Sequence, residues 1–99
     1  MSAEDEDIDI GKNEAAGRYE IRLGGRRVGL ADFYRRGDMV VIPHTETSPE
    51  FGGRGLASRL VRYCLDDIRE QQLQVDPACP FVAAYIRKHP EYADLVVDA

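Results

Sequence analysis

The stretch that most constrains this chain runs from Met39 to Gln72 and reads as strand, glycine-rich turn and helix. Met39-Val40-Val41-Ile42 is apolar and mostly β-branched, the composition of a strand buried on both faces. Pro43 to Pro49 is polar, with His44, Thr45, Glu46, Thr47 and Ser48, and Gly52-Gly53-Arg54-Gly55 follows. Leu56, Ala57, Leu60, Val61, Cys64, Leu65 and Ile68 then recur at intervals of three and four, which draws one apolar stripe along a helix. A turn of this kind presents the free N–H groups of the helix start, at the positive end of its dipole. Glycine lets a ligand approach the backbone closely, and Arg54 adds a full positive charge. From the local pattern two readings stand side by side: an anion site, most often for phosphate, and a plain turn before a helix.

The flanking residues supply the remaining elements. Tyr19, Ile21 and Leu23 alternate on one face of a strand over Arg18 to Leu23, and Gly24-Gly25 is a hairpin pair. Arg26 to Tyr34 reads as the return strand, with Val28, Leu30 and Asp32 on one side and Gly29, Ala31 and Phe33 on the other. A turn at Arg35 to Asp38 leads back to Met39, so three strands form an antiparallel meander. After the helix, which extends to about Gln72, Leu73-Gln74-Val75 is a short strand stopped by Asp76-Pro77. Pro80 suits a first helical position, Phe81, Ala84, Tyr85 and Lys88 keep helical spacing, and Pro90 ends that helix. The expected order is β-β-β-α-β-α, an α+β fold with a mixed sheet.

Residues 1–16 hold six acidic side chains against Lys12 alone, which accounts for the whole net charge of −5; the rest of the chain balances at twelve basic and twelve acidic residues. The spacing and composition predict an acidic, disordered tail over 1–16, at least through Asp7, and one folded domain over 17–99. With no basic face left over, nucleic acid is not an expected partner. No apolar run is long enough to span a membrane, and no basic start with an apolar core marks a leader, so the cytoplasm is the expected compartment and a monomer the expected state. Two cysteines without zinc-type spacing predict no metal, and a Cys64–Cys79 disulfide is not expected where thiols stay reduced.

Gly52-Gly53-Arg54-Gly55-Leu56-Ala57 resembles the pyrophosphate-binding motif of the GCN5-related N-acetyltransferases, Gln/Arg-x-x-Gly-x-Gly/Ala. Gly55 and Ala57 match, while Gly52 stands where the family prefers Gln or Arg. Cys79-Pro80-Phe81-Val82-Ala83-Ala84-Tyr85-Ile86 with His89-Pro90-Glu91-Tyr92, and His44-Thr45-Glu46 ahead of the glycines, resemble a short single-domain branch of that family, and the likeness covers roughly Arg18 to Val96. The resemblance implies the family core without its first two helices, elements that help form the acceptor site in larger members. It also implies acetyl-CoA as cofactor, with the pantetheine arm bonded like an extra strand along Thr45, Glu46 and Thr47 and the diphosphate on the amides of Gly53, Arg54, Gly55, Leu56 and Ala57. Strand three must then part from strand four, and Pro43 helps by withholding one ladder donor.

The thioester would point toward the start of the last helix, where Cys79 is the expected N-cap. A thiol there feels the helix dipole, which favours the thiolate, and a thiolate is a plausible acyl acceptor; the alternative is a small buried hydrophobe. His44 is a candidate base for an amine or for that thiol, or else a hydrogen-bonded strand-end residue, and Glu46 is a second candidate. Tyr85 lies where many members of the family carry a tyrosine that protonates the leaving thiolate; the alternative is core packing. His89 to Tyr92 is expected to close the helix and pack the C-terminus. Two functions follow from the resemblance: an N-acetyltransferase for an amine or protein acceptor, reached directly or through Cys79, and a non-catalytic acetyl-CoA-binding module, a sensor or carrier.

Overall fold

The computed structural model describes residues 8–49 and 55–96. Five strands lie in sequence order across one sheet. β1 (Ile8–Asn13), β2 (Arg18–Leu23), β3 (Arg26–Arg36) and β4 (Met39–Thr47) form an antiparallel meander, and β5 (Gln74–Asp76) pairs parallel to β4. Helix α1 (Leu56–Glu70) connects β4 to β5; α2 (Pro80–Lys88) and a 3₁₀ segment (Pro90–Leu95) complete the chain. The α+β class with a mixed sheet is as expected, with one strand more than the expected order.

That extra strand is β1, and it corrects the boundary of the folded unit from Gly17 to Ile8. Acidic composition masked a short alternation. Ile8, Ile10 and Lys12 stand in register with Leu23, Ile21 and Tyr19, so the two isoleucines pack against the core. Lys12 reaches Asp67 on α1 (3.2 Å) and lies over the rings of Tyr19 and Phe33. The Tyr19 hydroxyl donates to the same carboxylate at 2.7 Å, as does the Gln71 amide at 2.7 Å, which ties the sheet to the helix at one point. Residues 1–7, the most acidic part of the expected tail, lie outside the described residues.

The turns follow from glycine. Leu23 and Arg26 face each other across a two-residue loop in which Gly24 and Gly25 both have positive φ, the arrangement whose twist matches paired strands. Two bulges interrupt the meander. One, between Ile21 and Arg22, leaves Val28 as the extra residue on β3. It separates Val28, which is buried in the core, from Leu30 and Asp32, which align with polar positions on the other face, so the expected single row of these three is broken. The other sets Ile42 and Pro43 of β4 against Phe33 alone.

The apolar stripe of α1 is realised: Leu56, Leu60, Val61, Cys64, Leu65 and Ile68 are all buried, in one cluster with Tyr19, Ile21, Ala31, Val40, Ile42, Val75, Val82 and Tyr85. Each such aliphatic side chain stabilises the fold by about 1.5–3 kcal/mol. The helix ends in a Schellman motif, with Leu73 N–H on the Ile68 carbonyl (3.0 Å), Gln72 N–H on Arg69 (3.0 Å) and Gln72 at φ 60°. The C-terminal closure is also as expected. His89 Nδ1 donates to the Tyr85 carbonyl (2.8 Å), the Tyr92 hydroxyl donates to Asp66 (2.6 Å), and Arg69 forks onto Asp94 (3.0 and 3.1 Å). The face of the sheet away from this cluster is polar: Glu20 is buried there under Arg18 (2.7 Å), Arg22 (3.0 Å) and Arg27 (3.7 Å).

Candidate functional site

β4 changes character half-way along. Met39, Val40 and Val41 pair on one side with β3 and on the other with Gln74, Val75 and Asp76. Beyond Val41 the second partner is lost. Pro77 has no N–H to offer, and a tight turn with Ala78 N–H on the Asp76 carbonyl (2.9 Å) carries the chain away from the ladder. One last bond, Cys79 N–H to the Ile42 carbonyl at 2.9 Å, closes the base of the gap. From Pro43 to Thr47, β4 keeps only β3 as a ladder partner. The bulge at Ile42 and Pro43 lies where the strands part and adds local twist, so Pro43 occupies the position expected of it. The result is a strand edge open on one side, which an extended chain with amide groups can complete.

Cys79 sits at the apex. It is the N-cap of α2, with Pro80 in the first turn, and it is buried. Its Sγ lies 3.5 Å from Thr45 Oγ1. Burial pushes the thiol pKa up. The Thr45 hydroxyl and the backbone amides of Val82, Phe81 and Thr45 outweigh that and leave it below its ordinary value of 9.0. Cys64 is the counterpart: also a free thiol, fully buried in the α1 stripe, with its pKa driven far upward by desolvation and then by Asp67.

In the sequence, the start of α1 follows the far end of the open edge. Its N-cap, Gly55, has φ 71° and ψ 17°, no side chain caps the helix, and the first turn has no acidic residue. The first intrahelical bond there is Arg59 N–H to the Gly55 carbonyl (3.1 Å), so the amides of Leu56, Ala57 and Ser58 have no helical carbonyl to bond. A Cβ on Gly55 would touch nothing within 4 Å; the left-handed φ, not crowding, is what calls for glycine. Gly52, Gly53 and Arg54, the remainder of the motif, lie outside the described residues. A recess of about 200 Å³ beside the end of β4 is lined by Glu46, Thr47, Ser48 and Pro49 together with Arg27 to Leu30.

The other expected site residues are distributed differently. Thr45 is in register with Ala31, and Ala31 with Tyr19, both fully buried, so its side chain points to the core side of the sheet. His44 and Glu46 alternate with it and face the polar side, where His44 Nε2 is 2.7 Å from Glu46 Oε2 and both side chains are exposed. His44 is thus paired with Glu46, opposite Asp32, while Thr45 takes the place beside Cys79. Tyr85 lies six residues beyond Cys79, about 9 Å further along the helix axis. It stacks on His89 at 3.9 Å between ring centres, and its pKa is raised by desolvation, with Glu91 and Asp66 adding to it against Arg62. Its ring contacts are with His89 and Tyr92. Thr45 as a side-chain partner of Cys79 was not visible in the sequence, because the two are 34 residues apart. Among the described residues no three metal-ligating side chains cluster, and no helix is long and apolar enough to cross a membrane.

Comparison with known proteins gives this geometry its context. No curated protein sequence matches the chain. Solved structures share its fold, among them the following two. A GCN5-like protein from Staphylococcus aureus, solved by NMR, superposes with a TM-score of 0.72 at 21% identity, over 94% of this chain and 91% of that one. The ribosomal-protein-alanine N-acetyltransferase from Escherichia coli superposes with a TM-score of 0.63 at 12% identity, over 79% of this chain and 54% of that one. The family profile described as GCN5-related N-acetyl-transferase matches residues 18–95, the whole of the sheet from β2 onward and both helices. By that match the chain belongs to the GCN5-related N-acetyltransferase family.

Proposed function

We propose that the protein is an acetyl-CoA-dependent N-acetyltransferase that passes the acetyl group to an amine acceptor by way of Cys79. The observation that carries this reading is the parting of β4 from β5 after Val41, with a thiol at its apex and an uncapped helix start that follows its far end in the sequence. The residues fit the donor. The open edge of β4 from Pro43 to Thr47 offers backbone groups to the amides of a pantetheine arm, with Thr45, Glu46 and Thr47 along its path. The amides of Leu56 and Ala57, which have no helical carbonyl to bond at the positive end of α1, suit a diphosphate, and Gly52, Gly53 and Arg54 belong to the same sequence motif.

Bound there, acetyl-CoA supplies an acetyl thioester. Cys79, with its thiol pKa held down by Thr45 and the α2 amides, is suited to attack as thiolate. A new sulfur–acetyl bond forms, the old one breaks, and the displaced thiolate takes up the proton Cys79 gave away. Thiol–thioester exchange is nearly balanced in energy, so no strong base is needed. The following transfer to an amine does need one, since the attacking nitrogen must lose a proton. The candidate for it is the exposed His44–Glu46 pair, which faces the opposite side of β4 from Thr45 and so can serve only an amine that enters the gap from that side.

Native mass spectrometry after incubation with acetyl-CoA tests this. The expected spectrum shows one retained cofactor and one covalent acetyl group, the latter lost in Cys79→Ser. Gly55→Glu should lose the cofactor, because it adds a carboxylate and strain at a left-handed position. Retention without an adduct would favour a binding module; no retention at millimolar cofactor would end the acetyl-CoA assignment.

A further inference from the structure

We propose that Thr45 is the positioning residue of Cys79: its hydroxyl donates to the sulfur and holds it at the mouth of the gap between β4 and β5. This rests on the reading of Cys79 as the acyl-accepting thiol and adds to it a residue that the resemblance assigned only to backbone contact with pantetheine.

Three observations and one general argument carry it. Thr45 Oγ1 and Cys79 Sγ are 3.5 Å apart, within hydrogen-bonding range for sulfur. Thr45 lies in the half of β4 that β5 does not cover, while the Cys79 amide is anchored on Ile42 three residues earlier in the same strand. The sulfur is therefore fixed from two points of β4, one through its backbone and one through its side chain. Thr45 is half-buried and points to the core side, where Cys79 is the side-chain partner of its hydroxyl. Lastly, a strand needs no hydroxyl at this place, because valine has the same shape and the same preference for extended backbone.

The direction of the bond follows from the charge on sulfur. A thiol can donate or accept, but a thiolate can only accept, so the hydroxyl must then be the donor. A bond to a charged acceptor is stronger than one to a neutral one, so Thr45 favours the reactive form over the resting one. The amides of Phe81, Val82 and Thr45 act in the same sense. Among the described residues, no titratable group around the sulfur supplies an alternative cause. Asp76 on β5 would oppose ionisation, and His44 and Glu46 are paired on the other face of β4. Arg87 and Lys88 stand at the far end of α2, and Arg62 and Asp66 of α1 act on Tyr85.

The test is the pH profile of Cys79 alkylation in the free protein, read by peptide mass spectrometry for the wild type, Thr45→Val and Thr45→Ser. Removing a hydrogen bond to a charged group should shift the Thr45→Val profile upward by about one pH unit and, with the more basic thiolate's higher nucleophilicity offsetting part of the loss, slow the reaction about threefold to fourfold at neutral pH. At high pH the Thr45→Val rate should equal or slightly exceed the wild-type rate, since a more basic thiolate is the better nucleophile. Thr45→Ser, which keeps the hydroxyl, should restore the wild-type profile. A Thr45→Val profile that is unmoved, or lowered equally at every pH, would overturn the proposal by showing a merely structural effect. The parent reading fails separately. If the profile shifts as expected but acetyl-CoA leaves no acetyl on the wild-type Cys79, the pairing stands and the acyl-transfer role falls.

Discussion

The two halves of β4 make the central contrast in this molecule. Met39 to Val41 has a ladder on both sides, Val40 and Val41 are buried, and the helices cover it; Pro43 to Thr47 has one ladder, an open edge and mostly exposed or half-buried side chains. Each half is associated with one cysteine. Cys64, packed in the cluster that covers the first half, is held neutral by desolvation; Cys79, at the border of the second, is pushed toward the thiolate by hydrogen bonds that outweigh its burial. The same strand thus provides stability in one half and leaves recognition to the other. What separates them is small: one bulge, two prolines and the early end of β5 after Asp76.

The largest effect should come from damaging the closed half. Leu65→Ala removes a fully buried side chain from the α1 stripe and should lower stability by about 2–5 kcal/mol in urea denaturation. Cys79 in the molecules that remain folded should keep its alkylation rate. A rate change as large as the stability change would merge the two halves into one unit.

Next is the edge strand. Truncation through Asn13 removes Ile8, Ile10 and the Lys12–Asp67 contact, and uncovers β2; it should cost about 2 kcal/mol, estimated from two half-buried isoleucines. Truncation through Asp7 should leave the melting temperature unchanged. Equal losses from both truncations would show that the contribution of β1 has been misjudged.

A smaller, pH-dependent effect belongs to Glu20 on the polar face. Its pKa is lowered by the hydrogen bond from Arg18, against burial and with help from Arg22, below the ordinary 4.5. A carboxylate of this kind adds stability that is fully present above its unfolded-state pKa and is lost as pH falls through the folded value. Glu20→Gln should therefore be the less stable protein at neutral pH, by less than the β1 truncation, and the two unfolding curves should converge below about pH 4. Parallel curves across that range would remove Glu20 from the account.

Much of this could be seen beforehand where the signal is local. Hydropathy at intervals of two gave β2, a continuous β-branched run gave the start of β4, intervals of three and four gave α1, Gly24-Gly25 gave the hairpin, and Cys79-Pro80 gave the α2 cap. Period-based reading failed at β1, where Asp9 and the acidic residues before it outweighed Ile8 and Ile10, and at β3, where a bulge shifted Val28 out of step with Leu30. The site divides in the same way. Cys79 and Gly55 are defined by their immediate neighbours, and each stands at the helix start where the sequence puts it. The pairing of Thr45 with Cys79, and of His44 with Glu46 instead, depends on which way successive side chains of β4 face once β5 has left. That is decided by the course of the sheet, which no short motif records.

The contrast between the two halves is tested most directly by the relative alkylation rates of the two cysteines, with and without CoA. Cys79 should react far faster than Cys64 with a mild alkylating agent, and saturating CoA should slow Cys79 while leaving Cys64 unaffected. Equal rates for the two thiols, or no protection of Cys79 by CoA, would contradict the assignment of the open half of β4 and its cysteine to the acyl-donor site.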